Sequence, residues 1–333
     1  MLFDLDDLRR AESLVRDHFG PTPQYVWPML VEAVSKGQEP VEIWVKHENH
    51  TPTGSFKVRG GLVYLDRLVR ERPQVTGIVS ATRGNHGQSL AYAGRAFGVP
   101  VVILVPHGNS QEKNAAMRGF GAELIEHGRD FQEAREYAST VAAERGFEVV
   151  PPFHRDLACG VGTYALELFS AVADLHAVYA PVGMGSGITS LLTVRDLLGL
   201  ELEIVGVVSE EAPSTALSVA AREAVSTEAA ATFADGVACR EPDPEAIAIM
   251  LAGGARILTV SEEAVAEGMR TLHRTTHNTA EPAGAIALAG LVSERERRAG
   301  QRVATVLTGG NVDMPMLVEV LAGATPSALG RTA

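Results

Sequence analysis

TPTGSFKVRGG, residues 51–61, sets one lysine in a turn rich in threonine, glycine and serine, just ahead of a helical stretch. The chain has only three other lysines, Lys36, Lys46 and Lys113, so amine chemistry has few candidates. Burial or crowding lowers the pKa of a lysine, which suits it to Schiff-base formation with an aldehyde cofactor. A lysine on a solvated face is the ordinary alternative. Phe56 before Lys57, and Arg59, Gly60 and Gly61 after it, do not read as such a face.

Working outward, short β-branched runs alternate with helical patterns. GIVSA at 77–81, VVILVP at 101–106, a run near 123–126 and EVVP at 148–151 read as strands. Helices are expected at 86–97, near 112–119 and at 129–145, the last with Phe131, Ala134, Tyr137, Ala138 and Val141 on one stripe. The rhythm continues with helices near 162–172, 186–198, 262–273 and 282–297. Its strands are at 177–182, 203–208 and 302–307. Such alternation means an α/β fold with parallel sheets covered by helices on both faces. The segment 210–256 reads as helices and excursions around the site, and the tail ATPSALGRTA as the one disordered candidate.

Composition narrows the function. With 333 residues, 46% of them hydrophobic and 21% charged, a soluble protein of one large and one smaller domain is expected. No stretch approaches the roughly 20 apolar residues of a membrane span, and the acidic, amphipathic MLFDLDDLRRAESL does not read as a secretory signal. Cys159 and Cys239 are too few for a disulfide framework or a structural zinc site. These features point to the cytoplasm. A net charge of −12 argues against a nucleic-acid partner but not against one bound phosphate.

Four segments stand out. SATRGNHGQS at 80–89 follows a strand and opens a helix, where backbone N–H groups favour an anion; a plain turn capped by Asn85 is the alternative. PVGMGSGI at 181–188 is a glycine-rich strand-to-helix turn able to curl around a phosphate, though such turns also serve tight packing. VLTGGNVD at 306–313 ends a strand, and EPAGA at 281–285 opens a helix.

Taken together and in order, GSFKVRG, the Gly-Asn turn, the glycine turn, EPAGA and GGNVD resemble the fold type II pyridoxal-phosphate enzymes. The resemblance is to their threonine dehydratase and serine racemase branch, and it spans about residues 20–315. It implies two open, twisted, mostly parallel sheets with pyridoxal 5'-phosphate in the cleft between a large domain (1–76 plus 151–333) and a small one (77–150). It also implies that Lys57 carries the cofactor, that Phe56 packs against it and that Asn85 meets its ring hydroxyl. Gly183, Met184, Gly185, Ser186 and Gly187 would hold the phosphate, and Thr308 would face the pyridine nitrogen. Ser80, Thr82, Arg83, His86 and Glu281 are the expected substrate-side residues. The implied activity is α,β-elimination from a 3-hydroxy amino acid such as threonine or serine, giving a 2-oxo acid and ammonia, in a homodimer.

Two departures bear on this. Arg83 stands where serine racemases carry their second base. Arginine stays protonated, so racemisation is not the expected main activity. Arg83 suits a second carboxylate, as in 3-hydroxyaspartate, or an aromatic substrate such as phenylserine, or it turns to solvent. Val208 and Ser214 stand where part of the branch places metal ligands, with Glu210 and Glu211 out of register, so no metal is expected. His47 and His50 in HENH suit packing or the substrate side. No regulatory domain is expected after the last motif. Within the fold, β-replacement is the rival, opposed by EPAGA and GGNVD. A nicotinamide oxidoreductase would need an early dinucleotide fingerprint, and a non-catalytic relative would lack Lys57.

Overall fold

In a computed structural model, residues 1–129 and 131–327 are described; positions 328–333 of the expected disordered tail lie outside them. Ten strands among these residues form two sheets: β1 (Gln24–Val26), β2 (Glu42–His47), β3 (Ile78–Ala81), β4 (Val101–Val105), β5 (Glu123–Glu126), β6 (Glu148–Val149), β7 (Ala177–Pro181), β8 (Glu203–Ser209), β9 (Arg256–Val260) and β10 (Arg302–Leu307). The larger sheet runs β1-β2-β10-β7-β8-β9 and the smaller β5-β4-β3-β6. Every pairing is parallel except β1 with β2. The strands of the smaller sheet all fall between residues 78 and 149.

The strands are apolar on both faces because both faces are covered. In β7, β8 and β10, Val178, Ala180, Ile204, Val208, Ala304 and Val306 enter one core, while Ala177, Tyr179, Val205, Val207, Val303 and Leu307 enter the opposite one. The smaller sheet alternates likewise, Ile78, Val101 and Ile103 on one side, Val79, Val102 and Leu104 on the other. This period-two partition is what a parallel sheet between helices demands.

The observed elements depart from expectation at a few places. The helix expected near 162–172 runs Arg155–Ala171. Its first turns contain Gly160 and Gly162, which weaken helix propensity. They are there for contact: a Cβ on Gly160 would lie 2.2 Å from the Arg59 carbonyl oxygen. The helix expected at 129–145 is described from Phe131, and the one expected to reach 297 ends at Ser293 in a run of turns. Strand β9 escapes the sequence pattern because, as an edge strand, it buries only Val260. The irregular stretch contains helices Ser214–Ala221 and Pro244–Ala252 and a short turn at Asp235–Val237. No helix among the described residues is long and apolar enough to cross a membrane.

Candidate active site

Lys57 is the first residue of the helix Lys57–Glu71, capped by Phe56. Two close approaches fix that helix. A Cβ on Gly60 would meet the Leu157 carbonyl oxygen at 2.6 Å, and one on Gly61 would meet Ser89 Oγ at 2.3 Å. Helices Arg155–Ala171 and Asn85–Phe97 therefore press on it directly, and Ser89 Oγ donates to the Lys57 carbonyl at 2.6 Å. Two residues on, Arg59 is fully buried. It donates to Glu48 at 2.7 Å and Glu167 at 2.7 Å, and Lys46 also reaches Glu167, at 2.5 Å. Burial alone would lower the Arg59 pKa, but the two carboxylates more than offset it and raise it.

The preceding turn is stitched to the loop after β10. Phe56 N–H donates to the Thr308 carbonyl at 2.9 Å, Ser55 bridges to Gly309, and Gly310 N–H donates to the Gly54 carbonyl at 3.0 Å. On the other side of the lysine lies the glycine turn. Lys57 Nζ donates to Ser186 Oγ at 3.0 Å, and Ser186 is the first residue of helix Ser186–Leu197. The amine sits 4.9 Å from the centre of the Phe56 ring. With desolvation unopposed, its pKa falls to about 8, so a useful fraction is the neutral nucleophile near neutral pH.

Asn85, the first residue of its helix, donates through Nδ2 to Glu281 Oε1 at 2.6 Å. Its Oδ1 accepts from Asn311 Nδ2 at 2.8 Å. Glu281 is buried, and burial pushes its carboxyl up to about 7 against the opposing charge of Lys113. His86 is also buried; desolvation first, and the Lys57 charge second, push its imidazole down to about 3, so it is neutral. Ser55 Oγ, His86 Nε2 and Glu281 Oε2 are buried polar atoms without a hydrogen-bond partner in the structure.

Of the residues singled out from the sequence, Lys57, Phe56, Ser186, Thr308, Asn85 and Glu281 are tied together by these contacts. Ser80 Oγ is committed to the Val150 carbonyl at 3.0 Å, and Thr82 Oγ1 accepts from Gly84 N–H at 3.1 Å. Arg83 is exposed, and its carbonyl accepts from Asn109. The side chain of Met184 leans on the core and on Cys239, with the two sulfurs 3.6 Å apart. His47 accepts from Trp27 Nε1 at 3.0 Å, and His50 meets Asn278 at 2.8 Å. Val208 is a core residue, and Ser214 donates to the Cys239 carbonyl. No cluster of three or more candidate metal-ligating side chains occurs among the described residues. Sequence reasoning passed over Asn311, Lys113 and Asp235. Only the scarcity of lysine hinted at the second of these.

The turn suits a phosphate bound beside Lys57. Gly183 and Gly185 are glycine because their surroundings are full: a Cβ would meet the Gly236 carbonyl oxygen at 2.4 Å and Ala246 Cβ at 2.8 Å. Gly187 differs. A Cβ there would make only ordinary contacts, 3.6 Å from Tyr164 Oη and 3.9 Å from Phe56. The first N–H groups of the adjoining helix have no intrahelical partner, so they are available to an anion. An amine beside a glycine-rich helix start, with a hydrogen-bonded asparagine opening the helix packed against its own, fits an aldehyde cofactor carrying a phosphate.

Comparison with known proteins gives the same answer. The pyridoxal-phosphate dependent enzyme family matches residues 15–309. L-threonine ammonia-lyase of Thermotoga maritima is 30% identical over 96% of this chain and 78% of its own length. L-threo-3-hydroxyaspartate ammonia-lyase of Saccharomyces cerevisiae is 29% identical over 95% and 96%. The solved threonine deaminase of T.th. superposes with a TM-score of 0.85 at 31% identity, covering 94% of this chain and 99% of that one. The chain belongs to the pyridoxal-phosphate dependent enzyme family, of fold type II, alongside the threonine ammonia-lyases.

Proposed function

We propose that this enzyme is an ammonia-lyase that removes water from a 3-hydroxy amino acid such as threonine or serine and releases a 2-oxo acid and ammonia. The observation that carries the reading is the setting of Lys57: a desolvated amine, 3.0 Å from the hydroxyl that opens the glycine turn. When bound, pyridoxal phosphate supplies the electron sink for charge developing at the substrate Cα. The protein supplies position and proton transfer. Lys57, with a pKa near working pH, takes the Cα proton. The Cβ–O bond then breaks, and the hydroxyl leaves as water with the proton that Lys57 had taken. The released enamine tautomerises to an imine, which a second water hydrolyses to the 2-oxo acid and ammonia.

The supporting roles follow the contacts. Gly183, Met184, Gly185, Ser186 and Gly187 hold the phosphate through the main chain and the helix start. Phe56 forms one wall. Asn85, fixed between Glu281 and Asn311, meets the ring hydroxyl. Thr308 offers a hydroxyl to the ring nitrogen; a neutral partner leaves the nitrogen without enforced protonation and favours prompt loss of the β-leaving group. His86 and the N–H groups of the 80–86 loop meet the substrate carboxylate. Residues 77–150 act as the small domain, and the working unit is a cytoplasmic homodimer.

A second reading changes only the substrate. Arg83 stands exposed on the loop, with a charge suited to a second carboxylate, and the yeast relative is named for 3-hydroxyaspartate. One assay separates the two: 2-oxo acid release from a panel of threonine, serine, 3-hydroxyaspartate and phenylserine by the reconstituted protein. Fastest turnover of threonine or serine supports the first reading. Preference for the acidic or aromatic member makes Arg83 the specificity residue. No turnover of any member, with the cofactor bound, overturns the elimination reading.

A further inference from the structure

Lys113 has no part in the functional reading so far, yet it crosses to the heart of the site. It lies on helix Gln111–Gly119, between β4 and β5 of the smaller sheet. From there its amine reaches Asp235 at 2.7 Å and Glu281 Oε2 at 3.6 Å, both on the side of the larger sheet. Its stem runs over Gly84, where a Cβ would lie 2.6 Å from Lys113 Cδ, directly beside Asn85. Its two carboxylate neighbours are held independently. Asp235 sits in a turn whose neighbours Thr232 and Phe233 are anchored on Glu262. Glu281 N–H donates to the Gly309 carbonyl at 3.0 Å. The same helix is fastened nearby by Ser110 Oγ donating to Asp313, and by Glu112 accepting from Met314 N–H at 2.9 Å.

We propose that Lys113 is a positioning residue: it holds the smaller sheet's helix across the cleft and sets the charge of Glu281, the carboxylate that orients Asn85. The chemistry is that of a buried three-charge cluster. The charged groups facing Glu281 are Lys113 and Asp235, with Asn85 as its neutral partner. Lys113 favours the ionised carboxylate and Asp235 opposes it. An ionised Glu281 accepts the Asn85 hydrogen bond at Oε1 and faces the Lys113 charge, 3.6 Å from Oε2. A protonated Glu281 keeps a hydrogen of its own and competes for the orientation of the asparagine amide. Since Asn85 is the proposed partner of the cofactor hydroxyl, this assignment rests on the proposed function, but its test does not depend on turnover.

The test is infrared titration of the protonated carboxyl band of Glu281 in the full-length chain, assigned by its loss in Glu281→Gln. Amide hydrogen exchange of residues 111–119 is measured alongside. In Lys113→Met the titration midpoint rises by at least about one pH unit, and the helix exchanges at least about tenfold faster. Lys113→Arg restores both most of the way. Asp235→Asn, which removes the competing anion, moves the midpoint down, so the two variants shift it in opposite directions. Faster exchange with an unmoved midpoint in Lys113→Met would reduce Lys113 to a strut and overturn the assignment. So would opposite-signed shifts failing to appear in Asp235→Asn, which remains informative if Lys113→Met does not fold.

Discussion

The Lys57 amine donates to Ser186 Oγ at 3.0 Å, and the two residues, 129 positions apart, are each the first residue of a helix. The amine therefore points at the start of helix Ser186–Leu197, where the first N–H groups have no intrahelical partner. The amine has lost its water while gaining only a neutral partner, which is the physical reason its pKa is low.

Capture of pyridoxal phosphate reads that pKa directly. The neutral amine attacks the aldehyde, so the rate rises with pH through about 8 and levels off above it. Stopped-flow absorbance of the apo chain against pH measures this; a rise continuing towards the ordinary lysine value of about 10.4 would contradict it. Lys57→Ala loses the visible absorption band on reconstitution and about a thousandfold or more of turnover.

Gly183 and Gly187 separate folding from cofactor binding. Gly183→Ala drives a methyl into the Gly236 carbonyl, so stability falls by about 1–3 kcal/mol in urea titration. Gly187→Ala meets no clash within the protein and unfolds like the parent. If Gly187 lines the phosphate as proposed, its methyl crowds the bound group, and affinity for pyridoxal phosphate drops about tenfold or more by equilibrium dialysis.

Glu281 gives stability a particular pH dependence. Its folded pKa of about 7 lies above its unfolded value of 4.5, so the folded state binds the proton more tightly. The contribution is fully present below 4.5 and is lost as pH rises through 7. Relative to Glu281→Gln, the parent loses up to about 3 kcal/mol over that window. Urea midpoints at intervals across the window check it; a constant difference would refute the linkage.

Arg59 holds together a buried network rather than the chemistry. Arg59→Met leaves Glu48 buried without its cationic partner and Glu167 with Lys46 alone. The expected loss is about 3–5 kcal/mol in chemical denaturation. Arg59→Lys loses less, since it keeps the charge but not the two-sided fork.

The yeast and bacterial relatives divide on substrate, and Arg83 offers a direct check. Arg83→Ala should lower kcat/KM for 3-hydroxyaspartate more than for threonine by about tenfold if the guanidinium meets the second carboxylate. Equal losses on both substrates would place Arg83 outside substrate recognition.

Much of this protein was legible from local order. Strand β10 at 302–307 could be bounded to the residue, because a β-branched run buried on both faces is its own signal. The turns at 51–61 and 181–188 were visible too, because each sets small residues directly before a helix start. The start of helix Arg155–Ala171 was not legible. Gly160 weakens a helix in isolation, and only the approach of Arg59, about a hundred positions earlier, explains why it is there. Edge strand β9 was missed because exposure removes the apolar pattern by which strands are recognised.

The sequence by itself determined most of the parallel strands and the turns at 51–61 and 181–188, since each is written in contiguous residues with a periodicity or a composition of their own. Only the tertiary structure decided that Glu281 would be lifted towards neutrality, that Asn85 would be held between it and Asn311, and that Lys113 and Asp235 would join them. Those properties come from desolvation and from charges brought together out of separate segments. No local pattern encodes the distance between them; it exists only once the segments that carry them have packed together.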